Sequence, residues 1–201
     1  MGGELDKPFL NKKPDDGKNK IFRYGLNKVQ GWKKTMEVYN LKENNIGPEK
    51  NVNIFGIFDG HGGKEVAQYV SNHFTNAFLL NEKIKKNKIK QAIIDTFLKM
   101  DELMFQKEGI QELKKISKKC EEDDKIFFEK NGIIETQLDL YIKTILNNNE
   151  NIAFNRGCTA CVCIIDTLTK KIYFANAGDS RVILCKKGKA YRMSVDHKPE
   201  L

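Results

Sequence analysis

The sequence predicts an α+β fold, in which helices and antiparallel strands occupy different parts of the chain. A short apolar run at 52–58 is typical of a buried strand, and the apolar residues after it recur every four positions, as in a helix that buries one face. These residues are Val66, Val70, Phe74 and Phe78. Residues 160–193 form short apolar segments separated by tight turns, which indicates an antiparallel meander.

The other elements follow from composition and periodicity. Residues 1–20 are polar and predict a flexible N-terminal arm, whereas the apolar groups within 22–39 predict a strand, a turn and a second strand. Residues 42–51 predict a hairpin-like loop, and the spacing within 89–105 predicts a second amphipathic helix. Residues from about 107 to 155 are highly charged and indicate an inserted helical arm. Its segments include helical patterns at 113–116 and 137–142 and an Asn-rich linker at 147–151.

Composition limits the classes of function. The chain has 201 residues, no run of 18 apolar residues and no apolar signal segment. Asp6 stands where N-myristoylation of Gly2 would need Ser or Thr, so we expect no membrane association. The five cysteines, an odd number, predict reduced thiols in the cytoplasm, with the nucleus as a second compartment. Cys158 and Cys161 have the spacing of a zinc or redox pair but no second pair or His partner, so we expect them to be buried and inert.

The formal net charge of +8 is the feature that would suggest a nucleic-acid ligand. The lysines, however, are spread over helical faces and turns, with few aromatic residues between them on which bases could stack. We therefore expect solvated helix faces and no nucleic-acid partner.

The turn between the buried strand and its helix, residues 59–63, contains an acid, a histidine and three glycines. A carboxylate at the end of a buried strand must be paired, hydrogen-bonded or bound to a cation. A phosphate-binding loop is disfavoured because Lys64 is followed by Glu65 rather than by Ser or Thr. Two alternatives stay open: a Mg²⁺ or Mn²⁺ site with Asp59 and the Gly60 carbonyl as ligands, or a turn in which Asp59 caps the helix.

Asp179 repeats the pattern of Asp59, because it lies in a Gly-containing bend after an apolar strand. Taken alone, such a residue is most often part of an ordinary turn in which Asp bonds its own backbone. Two acids at the ends of neighbouring strands would nevertheless be able to share a site, and we take this as a hypothesis.

Four segments carry a resemblance. They are Phe-Gly-Ile-Phe-Asp-Gly-His-Gly-Gly at 55–63, Gly-Cys-Thr-Ala at 157–160, Ala-Asn-Ala-Gly-Asp-Ser-Arg at 175–181 and Asp-His-Lys-Pro at 196–199. In this order and approximate spacing they resemble the metal-dependent protein phosphatases of the 2C type. Tyr24-Gly25, Gln30-Gly31-Trp32 and Met36-Glu37 are similar to the opening strands of that family. The resemblance extends from about residue 22 to the last residue, with 107–155 as additional length.

The resemblance implies a sandwich of two antiparallel β-sheets flanked by helices, with two Mg²⁺ or Mn²⁺ ions at one end. It implies that Asp59 bridges the two ions, that the Gly60 carbonyl binds one of them, and that Glu37 acts through metal-bound water. Asp179 would belong to a third, weaker metal site, and Thr159 would stand close to the cluster.

The resemblance also implies the reaction: hydrolysis of phosphoserine and phosphothreonine in proteins by a metal-activated water. Phosphorylated proteins are therefore the expected partners. His61 is similar to the family's general acid, which protonates the departing oxygen, although a locally hydrogen-bonded residue at the helix start remains the alternative. Lys33 stands where the family usually has an Arg that grips the substrate phosphate, so the charge is kept but the planar fork is lost.

Two further departures from the family pattern leave the function open. Val38 stands where the family has an Asp that orders metal-bound water. The remaining metal-binding aspartates of the family follow the segment at 196–199, so we expect a partial domain over 21–201, with an incomplete metal site and a sandwich incomplete at its C-terminus. The first alternative is a protein Ser/Thr phosphatase. The second is a catalytically impaired pseudophosphatase that binds or regulates phosphoproteins, through Lys33 and the inserted arm.

Overall fold

A computed structural model describes residues 4–135 and 151–198, and its central feature is an antiparallel sheet of five strands. The strands of the described residues are β1 (Glu4–Phe9), β2 (Asp15–Lys18), β3 (Arg23–Leu26), β4 (Gly31–Lys33), β5 (Val38–Ile46), β6 (Val52–His61), β7 (Gly157–Cys158), β8 (Ala160–Asp166), β9 (Lys171–Ala177), β10 (Ile183–Lys186) and β11 (Lys189–Arg192). The helices are α1 (Glu65–Leu79), α2 (Glu82–Lys85), α3 (Ile89–Met104) and α4 (Lys107–Asn131), with a 3-10 turn at Ile152–Phe154. The central sheet has the order β5-β6-β8-β9, and β7 pairs with the end of β6.

One face of the central sheet is covered by helices. Ile54 and Phe58 of β6 point to this face and are completely buried. The apolar face predicted for α1 packs there, and each of its four residues is at most 4% exposed. Burial of such side chains contributes about 1.5–3 kcal/mol each, so this contact is the main attachment of α1 to the sheet. The predictions of a buried strand, of α1 and of a second helix, α3, are confirmed.

The opposite face of the sheet is contacted by the hairpin of β2 and β3. The Phe22 ring and the Tyr24 ring of β3 both contact Phe55 of β6, with ring centroids 5.6 and 5.3 Å apart. β2 pairs with β3, and β10 pairs with β11, so in the described residues the second layer consists of separate two-stranded pairs. The predicted α+β class, with antiparallel sheets flanked by helices, is confirmed.

The N-terminal segment corrects one prediction, because residues 4–18 contain two paired strands rather than an arm without partners. β1 pairs with β4, and β2 pairs with β3. Lys42 reaches back from β5 to Asp15, with Nζ 2.5 Å from Oδ2, and the Phe9 ring lies 5.2 Å from that of Phe127. Backbone hydrogen bonds form most of this attachment, which is why a polar composition did not reveal it.

The loop predicted at 42–51 is also wrong over its first half, because β5 continues to Ile46 and only residues 47–50 form the turn. The residues in this part of β5 alternate between partly buried and exposed positions, a pattern that is common in a strand with one face exposed to solvent. The predicted meander changes as well: β9 and β10 do not pair, since the bend after Ala177 takes the chain out of the central sheet.

The charged segment after residue 107 begins with a helix that is packed, not free. In α4, Leu113, Ile116 and Cys120 are buried in the same core cluster as α1. The helical prediction is confirmed for this part, whereas 137–142 and 147–151 lie outside the described residues, and the domain boundaries stay a prediction. Across 4–135 and 151–198, no helix is both long and apolar enough to cross a membrane.

Candidate active site

Backbone contacts bring Glu37 to Asp59. Val38, the first residue of β5, is directly opposite Asp59 of β6 in the antiparallel register. The Gly60 N–H donates a hydrogen bond to the Glu37 carbonyl oxygen at 3.2 Å. A Cβ at residue 60 would lie 2.6 Å from the Gly63 carbonyl oxygen and 3.0 Å from that of Glu37, so only glycine allows this approach. Gly60 therefore matters for packing the two acidic segments together, whether or not its carbonyl binds an ion.

Lys33 lies between the two carboxylates. Its Nζ is 3.3 Å from Glu37 Oε2 and 4.0 Å from Asp59 Oδ1. Asp59 Oδ1 is buried and accepts no hydrogen bond from the described residues, although the side chain as a whole is 41% exposed. Burial raises the pKa of Glu37 above its usual value, the Lys33 charge opposes this rise, and the charges of Asp59 and Glu65 add to it. The negative charge of the two carboxylates thus exceeds the positive charge of the Lys33 ammonium group beside them.

These groups fit a hard divalent cation. Carboxylate and backbone oxygens are the ligands that Mg²⁺ prefers, and Mg²⁺ commonly binds through one or two carboxylates while it keeps several waters. The Oδ1 of Asp59, which accepts no hydrogen bond from the described residues, is a ligand atom of this kind. In the part of the chain that the structure describes, no three His, Cys, Asp or Glu side chains stand close enough to hold an ion together. The described residues therefore offer Glu37, Asp59 and the Gly60 carbonyl, but not a closed ligand cage.

Thr159 connects the segment around Asp59 with the bend that carries Asp179. Its N–H donates to the Asp59 carbonyl oxygen at 2.8 Å, and its Oγ1 is 2.8 Å from Ser180 Oγ. Gly178 has a φ of +101°, and a Cβ there would lie 2.7 Å from Thr159 Cγ2. Thr159 thus lies beside Asp59, whereas its position next to a metal cluster stays a prediction. Asp179 itself is exposed, and among the described residues its carboxylate does not group with those of Asp59 and Glu37 closely enough for the three to hold an ion.

His61 is the last residue of β6 and is exposed to solvent. It is paired with Gly157 of β7, and its ring fills the space above that glycine, because a Cβ there would lie 2.5 Å from His61 Nε2.

Cys158, the residue after Gly157, carries a thiol that is not reactive. Burial, with the charges of Asp101 and Asp59 nearby, raises the pKa of this thiol to about 12. A thiol with this pKa is not ionised at neutral pH, so Cys158 is no nucleophile.

Two residues of the site are not predictable from the motifs. Glu65, the first residue of α1, and Arg156, just before β7, form an ion pair whose side chains are 6% and 5% exposed. The negative charge of Glu65 acts on Glu37 and contributes to the raised pKa of that carboxyl group. Glu65 stands on the buried face of α1 beside Val66, which is a weak signal in the sequence, whereas nothing around Arg156 marks it.

Comparison with known proteins identifies the family. The family model described as Protein phosphatase 2C matches residues 22–123 and 108–201. The chain belongs to the protein phosphatase 2C family. It is 38% identical over 200 residues to "Probable protein phosphatase 2C 2" of Paramecium tetraurelia, covering all of this chain and 55% of that protein. It is 32% identical over 206 residues to "Probable protein phosphatase 2C 21" of Arabidopsis thaliana, covering all of this chain and 57% of that protein.

As a phosphatase 2C family member, the chain spans a little over half the length of these curated relatives. A solved structure titled "Structure of a C.elegans sex determining protein" aligns with 96% of the chain and 36% of its own length, with a TM-score of 0.45 and 18% identity. The family membership confirms the resemblance drawn from the four segments, whereas the roles of single residues in the site stay predictions.

Proposed function

We propose that this phosphatase 2C family protein hydrolyses phosphoserine and phosphothreonine in proteins with Mg²⁺ or Mn²⁺. The observation that carries the proposal is the pair of carboxylates of Glu37 and Asp59, brought together on either side of Lys33 near the end of β6, with one buried Asp59 oxygen that accepts no hydrogen bond from the described residues. A buried carboxylate oxygen without a donor is costly unless a cation is near. Family membership supports the reaction class.

The proposal assigns the ions to the residues described above. Glu37, Asp59 and the Gly60 carbonyl would hold them, and Asp179 would contribute to a further, weaker site. Two divalent cations, when bound, neutralise the oxygens of a transferring phosphate and lower the pKa of a water molecule. The compartment, cytoplasm or nucleus, stays a prediction from the cysteine content.

The side chains of the protein have two tasks in this reaction. Lys33, whose side chain is 60% exposed, is free to reach an oxygen of the substrate phosphate as a point charge. Water forms the new bond to phosphorus, and the bond from phosphorus to the Ser or Thr oxygen breaks. His61 would give a proton from a ring nitrogen to that departing oxygen, so that the products are the free hydroxyl group and inorganic phosphate.

A second function, phosphoprotein binding without turnover, is favoured by two observations. Val38 is directly opposite Asp59, so it occupies the place where a further carboxylate would be about 5 Å away. In addition, the Lys33 ammonium group lies near both carboxylates and would compete with a cation for them. A protein with this arrangement would bind the cations weakly and retain a basic group for phosphate.

The two functions differ in turnover. We expect Mn²⁺-dependent release of inorganic phosphate from a phosphothreonine peptide by the wild-type protein, and its loss in Asp59→Asn. The control is Asp16→Asn, a change in β2 that is distant in sequence from the proposed site. Peptide binding by calorimetry without phosphate release, at saturating Mn²⁺, would favour the binding function. Equal release by the wild type and Asp59→Asn would contradict both the metal site and the proposed role of Asp59.

A further inference from the structure

A buried ion pair lies directly beneath the segment that carries Asp59. We call residues 59–64, which comprise the last three residues of β6 and the turn that follows, the Asp59 turn. Gly62 and Gly63 in this turn have φ values of +73° and +145°. A Cβ at Gly62 would lie 2.6 Å from the Asn155 carbonyl oxygen, and one at Gly63 would lie 3.2 Å from Arg156 Cδ. The turn is therefore in contact with the segment of Arg156, and glycine is required at both points.

The ion pair connects three elements with the turn. Glu65 belongs to α1, Arg156 precedes β7, and Arg156 Nη1 donates to the Oγ of Ser117 in α4 at 3.3 Å. Glu65, Arg156 and Ser117 are each at most 8% exposed. The other Glu65 oxygen, Oε2, is buried against Gly63 and accepts no hydrogen bond from the described residues. Among the described residues, the Glu65 carboxylate is thus held through its Oε1, which pairs with Arg156.

A second ion pair joins the turn to α4. Lys64 Nζ lies 2.5 Å from Asp124 Oδ1, and the two side chains are 12% and 19% exposed. Lys64 and Glu65 are neighbours in sequence, and both are tied to α4, Lys64 directly and Glu65 through Arg156. The helix that the sequence presents as an inserted arm is, in the structure, fixed to the end of β6.

We propose that the Glu65–Arg156 pair, with its contact to α4, positions the Asp59 turn, and that α4 is a brace of the active site. A buried ion pair contributes little net stability, because removing both charges from water costs about as much as their attraction returns. What the pair fixes is geometry: it holds the start of α1 against β7, the strand that pairs with Gly60 and His61. Glu65 and Arg156 are positioning residues and touch no reacting atom.

The consequence for cation binding rests on the proposed function. Groups that orient metal ligands are typically worth about 10–100-fold in metal affinity. The Gly60 amide, which donates to the Glu37 carbonyl oxygen, reports on the turn without any metal. Hydrogen exchange at Gly60 therefore tests the brace, and Mn²⁺ affinity tests its effect on the site.

The main variant replaces both partners, Glu65→Leu together with Arg156→Met, so that neither charge is left bare in the interior. In the full chain we expect an unfolding midpoint close to that of the wild type, Gly60 exchange at least tenfold faster, and Mn²⁺ affinity by calorimetry about 10–100-fold weaker. Arg156→Lys retains Glu65 and the positive charge, so we expect it to change Gly60 exchange and Mn²⁺ affinity less than the double variant does. The matched control is Glu112→Gln, which removes the charge from another contact between α4 and α1, the one to His73 at 2.9 Å.

Each outcome decides the question. Unchanged Gly60 exchange and Mn²⁺ affinity in a folded double variant would overturn the brace. Faster Gly60 exchange in a protein whose wild type binds no Mn²⁺ would support the brace and contradict the proposed function. If the double variant does not fold, Asp124→Asn at the more exposed Lys64 contact takes its place, with an expected increase in Gly60 exchange of about threefold, and no increase there would overturn the proposal.

Discussion

Asp59 and Asp179 follow the same local pattern, a carboxylate in a Gly-containing turn at the end of an apolar strand, but the structure gives them different surroundings. Asp59 lies two residues before the end of β6, which lies between β5 and β8, and one of its oxygens is buried. Asp179 follows β9, the last strand of the sheet in the described residues, and is exposed. The difference shows that the position of a strand in the sheet, and not its local sequence, decides whether a terminal carboxylate is enclosed.

The two segments are also held differently. The Asp59 turn is fixed by buried and half-buried ion pairs to α4 and Arg156. The Asp179 bend, residues 178–181, is fixed by hydrogen bonds from Asn176 Nδ2 and the His197 N–H to the Gly178 carbonyl oxygen, both 2.9 Å long. Arg181 in the bend pairs with Asp196. The first segment is therefore held by ion pairs with buried partners on both sides, whereas in the second segment hydrogen bonds and the partly exposed Arg181 hold the chain and leave Asp179 in solvent.

The largest expected effect separates the two acids directly. Asp59→Asn removes the buried anionic oxygen, so we expect Mn²⁺ affinity by calorimetry to fall more than about 100-fold, beyond the usual effect of a group outside the ligand set. Asp179→Asn changes an exposed side chain, and we expect a loss of no more than about tenfold. Equal losses in the two variants would show that the enclosure of Asp59 has no bearing on cation binding.

Val38→Asp would increase the difference between the Asp59 turn and the Asp179 bend, because it adds a carboxylate directly opposite Asp59. Val38 is only half-buried, so the new charge is not left bare in the interior. We expect Mn²⁺-dependent hydrolysis of a phosphopeptide to rise about tenfold or more, the scale of groups that order metal-bound water. The control is Val29→Asp, at an exposed position outside the strands. A folded Val38→Asp protein that binds Mn²⁺ and remains as slow as its parent would favour the binding function.

Lys33→Gln tests the charge balance at the Asp59 end. Removing the ammonium group leaves two carboxylates uncompensated, so we expect Mn²⁺ affinity to rise about threefold while the KM for a phosphopeptide also rises. Exposed ion pairs are weak, which limits the size of the first effect. Calorimetry and steady-state kinetics measure the two quantities separately. A fall in Mn²⁺ affinity would mean that Lys33 orients the carboxylates rather than competing with the cation.

The smallest effect concerns the Asp179 end and its pH dependence. The hydrogen bond from Arg181 lowers the pKa of Asp196 from 3.8 to about 2. A carboxylate whose pKa is lowered on folding stabilises the fold above its unfolded value, and this contribution is lost as the pH falls from about 4 to about 2. We expect the amide signals of Gly178 and His197 to change in this window by NMR. In Asp196→Asn this pH dependence should be absent, and its persistence would refute the assignment.

Much of the fold could be predicted because the residues that become buried recur in the sequence with the period of a helix or form a short apolar run. The four-residue spacing from Val66 to Phe78 locates α1, and the apolar run before Asp59 locates β6. The strands at 4–18 left no such trace, since their pairing depends on backbone groups that every residue has. The second half of β5 was hidden in the same way by its polar side chains.

The sequence by itself determined the family, through four segments in order, and with it the residues to examine: Glu37, Asp59, Gly60, His61 and Asp179. The tertiary structure decided how these residues are grouped. It brought Glu37 and Lys33 to Asp59, left Asp179 exposed, and placed Glu65 and Arg156 beneath the turn. Such contacts join residues as much as 91 positions apart, Glu65 and Arg156, and depend on how helices dock on the sheet. Local patterns report which side chains are buried, but the partner of a buried charge is chosen only when the elements pack.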